Sequence, residues 1–172
     1  MRKKRKKLGQ YIDGNHEYEF SEEDFLANYA SLIGLIVLKF NSLESELNSN
    51  ICTIINGRSD IVGVAIIHKM NFSSKVDLFK RLIMIMDLSN EMSVDIDKFL
   101  NQLRECAILR NAVVHSEWEN ISSDKYVYST IKFSKDSIDQ EYTQFTLESL
   151  EKIKNLINQT YLEFGLIEGI LN

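Results

Sequence analysis

The sequence has no proline and only seven glycines among its 172 residues. Average usage would give about eight or nine prolines in a chain of this length. Because proline interrupts helices and central strands, its absence predicts long, unbroken helices. A composition of 44% hydrophobic and 26% charged residues excludes collagen-like, mucin-like and wholly disordered chains, and it is typical of one globular domain.

Long apolar runs are missing as well. After Gly34 the run at residues 35–38 covers only four residues, and the longest run, residues 82–86, covers five, far short of the roughly 20 residues that span a bilayer. The start of the chain is basic, like that of a signal peptide, but Gly9, Gln10 and Asp13 follow it where an apolar segment would be required. We therefore expect no membrane partner and a cytoplasmic location.

Residues that typically hold metals or nucleotides are also scarce. Cys52 and Cys106 have no C-x-x-C spacing and are expected to be small buried hydrophobic residues. The three histidines, His16, His68 and His115, are too far apart in the sequence to suggest a helical metal site. No glycine-rich phosphate loop and no Gly-x-Ser-x-Gly motif occurs. We expect no metal and no cofactor.

Positive charge is concentrated at the start of the chain. Six of the 20 basic residues lie in residues 2–7, so the rest has 14 basic and 25 acidic residues and a net charge of -11. An acidic body argues against a broad phosphate-binding surface. Residues 1–20 lack apolar periodicity and are expected to form a flexible basic leader, either a solvated tail or an arm that contacts nucleic acid. Residues 21–172 are expected to form a single domain.

Apolar spacings of three and four predict a first helix that Ser21 caps and that ends near Asn56. At about 50 Å this helix would be longer than the core of a small domain, so we expect it to bend near Gly34 or to pair with a second chain. Its apolar stripe is either core or a partner-binding coiled coil. The stripe consists of Leu32, Ile36, Phe40, Leu43, Leu47, Ile51 and Ile54.

The same periodicity predicts further helices from Ser59 or Asp60 to Met70, from Ser73 or Ser74 through Ile85, from about Asp95 to residues 118–120, and from Thr146 onward. Residues 126–133 and 141–145 are rich in β-forming side chains. The expected fold is mainly all-α, a bundle of four or five helices with a short β-hairpin or extended insertion before the last helix.

Residues 109–118 mix polar side chains into an apolar helix. Either Arg110 pairs with a surface acid and His115 stabilises the helix C-terminus, or the two residues form a site. Five residues apart, they are separated by about 140° and about 7.5 Å of rise, which is poor geometry for one reacting atom. Two copies related by a two-fold axis would line one cleft with a permanent cation and a proton-transfer group.

Arg110-Asn111, followed by three residues and His115, resembles the R-x4-6-H signature of the higher eukaryotes and prokaryotes nucleotide-binding (HEPN) family. Residues 40–44 in the first helix and 70–75 at the start of a middle helix extend the similarity over roughly residues 21–165. The resemblance implies a helical homodimer formed through the motif helices. It also implies a metal-independent ribonuclease of a toxin–antitoxin or phage-defence system, with an antitoxin or defence protein as a partner.

The resemblance implies that Arg110 would bind the scissile phosphate of an RNA substrate and stabilise its developing charge. His115 would act as general base or acid when the ribose 2′-hydroxyl attacks, and Asn111 would orient the site. DNA lacks that hydroxyl and would not be cut. The alternative is a catalytically inactive HEPN-fold dimer that binds nucleotide, RNA or protein.

Other residues are auxiliary candidates. Glu44 and Lys75 either face the same cleft or are solvated helix residues. Glu117 stands where a toxin subgroup paired with a minimal nucleotidyltransferase has a modified tyrosine, so that modification is not expected here. A further group of aromatic residues either stacks unpaired bases or packs the β insertion on the bundle: Trp118, Tyr126, Tyr128 and Tyr142.

Overall fold

A computed structural model describes residues 1–8, 22–87, 95–121 and 126–171 of the chain. In these residues the fold is mainly helical with a small antiparallel sheet, as predicted. The elements are β1 (Arg2–Lys7), α1 (Glu22–Ile55), α2 (Ile61–Ile67), α3 (Phe72–Ile85), α4 (Ile96–Val114), β2 (Glu117–Ile121), β3 (Tyr126–Phe133), β4 (Ile138–Gln144) and α5 (Leu147–Leu171). None of the described helices has the length and hydropathy needed to cross a bilayer.

The chain forms two compact units. One, called here the sheet unit, comprises residues 1–35 and 111–152, and the other, the helical unit, comprises residues 36–110 and 153–172. Three long helices, α1, α4 and α5, contribute residues to both units.

The length of α1 matches the prediction closely, and the helix continues through Gly34. Ser21, the expected capping residue, lies outside the described residues. Most of the apolar stripe in the helical unit is core: Ile54 is half-buried, and the other five side chains are buried. These side chains are Ile36, Phe40, Leu43, Leu47 and Ile51.

Aromatic packing joins the other long helices of the helical unit. The ring of Phe164 in α5 meets Phe99 of α4 edge-on, with 4.9 Å between centroids, and lies 6.0 Å from Phe79 of α3. Cys52 and Cys106 are both free and buried, which confirms that part of the prediction. The thiol of Cys106 lies 3.5 Å from the hydroxyl of Thr160.

The short helix α2 packs very closely on α1. A Cβ atom added to Gly63 would lie 2.6 Å from Sγ and 2.8 Å from Cα of Cys52. Only glycine permits this approach, because real Cβ atoms do not come so near a backbone atom.

The start of α3 differs from the prediction of a Ser73 or Ser74 cap. The cap is Asn71, whose Oδ1 accepts a hydrogen bond of 2.9 Å from the backbone N–H of Ser74. Asn71 has the extended backbone that a capping residue requires, and an asparagine there is as good a cap as serine.

The sheet has the strand order β1-β4-β3-β2. Its β3–β4 hairpin is the predicted insertion, and every pairing is antiparallel. The flexible leader expected for residues 1–20 differs from the structure, because Arg2–Lys7 is an edge strand that pairs with β4 from Gln144 to Asp139. A strand with charge on both faces has no apolar alternation that could reveal it. Residues 9–20 lie outside the described residues.

The helix α4 ends at Val114, earlier than the predicted end at residues 118–120. The next residues, Glu117–Ile121, instead form β2 and pair with β3. Trp118, predicted at the end of the helix, is a half-buried residue of β2.

Candidate functional site

The motif residues lie at the end of α4. Arg110 and Asn111 are in its last two turns, and His115 follows the last helical residue directly. Arg110 belongs to the helical unit, whereas Asn111 and His115 belong to the sheet unit. The residues of the helical unit and those of the sheet unit are described in turn.

In the helical unit, an aromatic ring holds the guanidinium of Arg110. Its Cζ atom lies 5.3 Å from the ring centroid of Phe40, within the range of a favourable cation–π contact. The Phe40 ring in turn lies 4.8 Å from that of Phe72. The Arg110 side chain is half-buried, so α1, α3 and α4 all contribute to the position of this cation.

An ion pair lies beside this aromatic contact. Nζ of Lys75 donates a hydrogen bond to Oε1 of Glu44 across 2.6 Å. Glu44 is one turn after Phe40 in α1, and Lys75 is one turn after Phe72 in α3, so the pair shares the helix faces of the two rings. The sequence left open whether these residues are solvated. The structure brings them together, with Lys75 buried and Glu44 about one-third exposed.

This arrangement defines what the helical unit offers chemically. The planar guanidinium of Arg110 is suited to grip a phosphate with two parallel hydrogen bonds. The Lys75 ammonium adds a second cation, but Glu44 neutralises it. The pair therefore adds no net charge to the helical unit.

In the sheet unit, His115 lies on an exposed corner with a fixed backbone. Its N–H donates to the carbonyl of Asn111 at 3.0 Å. The next two carbonyls of α4 accept hydrogen bonds from side chains that follow the helix. Oγ of Ser116 donates to the carbonyl of Ala112 at 2.6 Å, and Nε1 of Trp118 donates to the carbonyl of Val113 at 2.7 Å. These three hydrogen bonds satisfy carbonyls that the last turn of a helix otherwise leaves without a donor, while the imidazole is exposed.

A chain of hydroxyl groups continues from this helix end into the sheet. The Ser116 hydroxyl lies 3.4 Å from that of Ser129, which donates to Oγ1 of Thr143 at 2.7 Å. Ser116 and Thr143 are buried. Sequence reasoning missed these residues, because serine and threonine spread over 28 positions give no local signal.

Trp118 has a packing role. Its ring lies 5.0 Å from that of Phe145 and 6.1 Å from that of Tyr29. Of the two interpretations that the sequence allows, packing of the β insertion accounts for this residue.

Glu117 and the tyrosines lie on the sheet. Glu117 is opposite Tyr128 in the β2–β3 pairing, and Tyr128 is buried against the ring of Tyr142 at 5.9 Å. Burial and, secondarily, the charge of Glu117 raise the pKa of Tyr142. Glu117 therefore faces Tyr142 across the sheet.

In the described part of the chain, no three His, Cys, Asp or Glu side chains are grouped closely enough to hold a metal ion. His16 lies outside that part. No protein-family model, curated protein or solved structure matches the chain.

Proposed function

We propose that the chain is a metal-independent endoribonuclease of the HEPN type, a toxin or phage-defence effector that acts as a homodimer. The observation that carries the proposal is the placement of the Arg110-Asn111-x3-His115 motif at the end of α4. There a half-buried guanidinium held by Phe40 is followed, five residues later, by an exposed imidazole on a fixed backbone. Phosphate binding and proton transfer are the chemistries of these two groups.

The reaction divides between the three motif residues. Arg110 binds the scissile phosphate and stabilises the charge that develops on its oxygens. His115 accepts the proton of the ribose 2′-hydroxyl as its oxygen attacks phosphorus. The bond to the 5′-oxygen breaks, the leaving oxygen takes a proton from an imidazolium, and a 2′,3′-cyclic phosphate remains. The Asn111 amide orients the phosphate.

The dimer follows from the same helix geometry. One chain separates Arg110 and His115 by about 140° around α4, so a site that uses both is completed by the partner's α4 across a two-fold axis.

One observation favours a second candidate function, a HEPN-fold dimer that binds RNA, nucleotide or protein without cutting. The guanidinium of Arg110 is already in contact with Phe40, and an arginine used for packing would not need to grip a phosphate.

Cleavage of a single-stranded RNA in EDTA tests the proposal. We expect His115→Ala to lower the rate of cleavage by about 10² to 10⁴. Arg110→Ala and Arg110→Lys should lower the rate to a similar extent. Lysine does not replace arginine here, because its ammonium is a point charge and cannot form the two parallel hydrogen bonds of the planar guanidinium. His68→Ala and Arg81→Ala, which alter exposed residues outside the motif, are the matched controls. Unchanged cleavage in His115→Ala, or cleavage of an all-deoxy strand, would contradict the proposed mechanism.

Mixing two inactive variants tests the shared cleft. Arg110→Ala and His115→Ala chains, unfolded together and refolded as a mixture, should regain about a quarter of wild-type activity, since half of the dimers carry one intact composite site. If the site lay within one chain, no activity would return. Light scattering of the wild-type protein at micromolar concentration should give a dimer.

A further inference from the structure

One face of the sheet in the sheet unit combines basic and aromatic side chains. Antiparallel pairing aligns Arg2 with Gln144, Lys4 with Tyr142, and Lys6 with Gln140, and the pairing of β4 with β3 continues these rows. The members, which we call the basic–aromatic face, are Arg2, Lys4, Lys6, Ile138, Gln140, Tyr142, Gln144, Tyr126, Tyr128, Ile131, Phe133 and Glu117.

Contacts between side chains support this alignment. Nζ of Lys4 lies 4.1 Å from the ring centroid of Tyr126 and 6.0 Å from that of Tyr142. Nζ of Lys6 lies 5.7 Å from the Tyr142 centroid. The lysines are therefore held over aromatic rings by cation–π attraction, which leaves their positive charge available to an anion.

The alternate basic residues of β1 have a different environment. Lys3 and Arg5 point to the opposite face, where both bind the buried carboxylate of Glu141 at 2.9 and 3.2 Å. On one face of β1, Lys3 and Arg5 therefore contact a carboxylate, whereas on the other face Lys4 and Lys6 contact aromatic rings. Among the described side chains of the basic–aromatic face, the carboxylate is that of Glu117, opposite Tyr128. Because Arg2, Lys4 and Lys6 outnumber it, this face has a net positive charge.

The spacing of these cations suits an extended polyanion. Every second residue of a strand recurs at about 6.8 Å, a distance comparable to that between successive phosphates of an extended single strand. At the far end of the face, Phe133 is 78% exposed, which is unusual for a large aromatic side chain and provides a ring on which a base can stack. Cations along a backbone path together with an exposed ring are the usual components of single-strand binding.

We propose that the basic–aromatic face binds single-stranded RNA, with phosphates on Arg2, Lys4 and Lys6 and a base stacked on Phe133. The inference deepens the proposed nuclease function, on which it rests for the choice of RNA, because it assigns substrate binding to residues other than the Arg110 and His115 motif.

Binding of a fluorescent single-stranded oligouridylate to the full-length His115→Ala protein, measured by anisotropy at several salt concentrations, tests the phosphate contacts. Lys4→Gln with Lys6→Gln should weaken binding and reduce the slope of log Kd against log salt by about 1.4, or about 0.7 per lost contact. Lys7→Gln with Lys132→Gln removes the same charge from the opposite face and should leave the slope unchanged. An equal effect of both pairs would overturn the proposal.

Phe133→Ala tests the stacking contact and should raise Kd about fivefold or more. Leu147→Ala, which removes another exposed apolar side chain of the sheet unit, is the matched control and should not. If the Lys4 and Lys6 changes abolish binding to phosphatidylserine vesicles but leave oligouridylate binding intact, the face is a membrane surface and the proposal is wrong.

Wild-type cleavage separates this inference from the nuclease proposal. A chain that binds RNA through this face but does not cut it would refute only the nuclease. A Lys4→Gln, Lys6→Gln chain that cuts RNA with unchanged KM and kcat would refute only the binding face.

Discussion

Lys75 gives its Nζ hydrogen bond to Glu44 across 2.6 Å, and it is the lysine, not the glutamate, that is buried: the two side chains are 9% and 32% exposed. A buried charge that loses its partner is costly, whereas a partly exposed carboxylate can turn to water. The two residues are therefore not equivalent.

We expect Glu44→Gln to lower the free energy of unfolding by about 2 kcal/mol, because it leaves an ammonium in the interior without a counter-charge. Lys75→Met should cost less than about 1 kcal/mol, since it fills the same space with an apolar side chain. Urea denaturation measures both. Asp97→Asn, in the exposed Lys80–Asp97 pair, is the control and should stay within about 0.5 kcal/mol. Equal losses from Glu44→Gln and Lys75→Met would mean that burial does not set the cost.

Two glycines within helices should respond oppositely to alanine. Gly63→Ala places a Cβ within 2.8 Å of Cα of Cys52, and we expect a loss of about 1–2 kcal/mol from the forced separation of α2 and α1. Gly34→Ala meets no atom within 4 Å and should stabilise α1 by about 0.5–1 kcal/mol. Thermal melts of the two variants, run side by side, measure both effects. A higher Tm in Gly63→Ala than in the wild type would contradict this account.

Glu141 should make stability depend on acid pH. The hydrogen bond from Lys3, together with those from Arg5, lowers the pKa of Glu141 despite its burial. A lowered folded-state pKa gives stability that is fully present above the unfolded value of about 4.3 and is lost as the pH falls through the folded value.

We expect Glu141→Gln to cost about 1–2 kcal/mol at pH 7, since charge-assisted hydrogen bonds to half-exposed cations are lost, and the difference from wild type should shrink as the pH falls below the unfolded value and through the lowered folded value. Melting curves between pH 3 and 7 measure it. Glu148→Gln, in the exposed Glu148–Lys152 pair, should have a much smaller effect. A difference between wild type and Glu141→Gln that does not change with pH would show that packing, not charge, is lost.

Cys106 should be unreactive in the folded protein. Burial is the main cause that raises the pKa of its thiol to about 11, so at pH 8 only about one molecule in a thousand carries the thiolate that alkylating reagents require. Iodoacetamide should modify Cys106 only in urea, as followed by mass spectrometry. Fast modification of Cys106 in the native protein would mean that the α4–α5 packing opens readily.

The sequence predicted those elements whose local pattern is decisive. The spacing of three and four from Leu32 to Ile54 fixed α1 to within a residue or two at each end, and the β-rich residues 126–133 coincide with β3. Local pattern fails where both faces of an element carry similar side chains. Arg2–Lys7 is charged at every position, so only its pairing with β4 reveals a strand.

The candidate site shows a second limit. The order Arg110, Asn111, His115 is visible in the sequence, but the contact of Glu44 with Lys75 joins residues 31 positions apart, and no local rule pairs them. The same holds for Ser129 and Thr143, 14 positions apart, because which strand residues meet depends on the register around the irregular pairing between Tyr128 and Thr130.

The strand order has a consequence for synthesis. β1 is made first, but Lys3 and its partner Glu141 are 138 residues apart, so at about 5–20 residues per second the ribosome leaves β1 unpaired for roughly 7–30 seconds. During that time its backbone is an open template for β-aggregation. Six positive charges on six consecutive residues make two such strands repel one another. This repulsion opposes pairing between β1 segments of different chains until β4 has been synthesised.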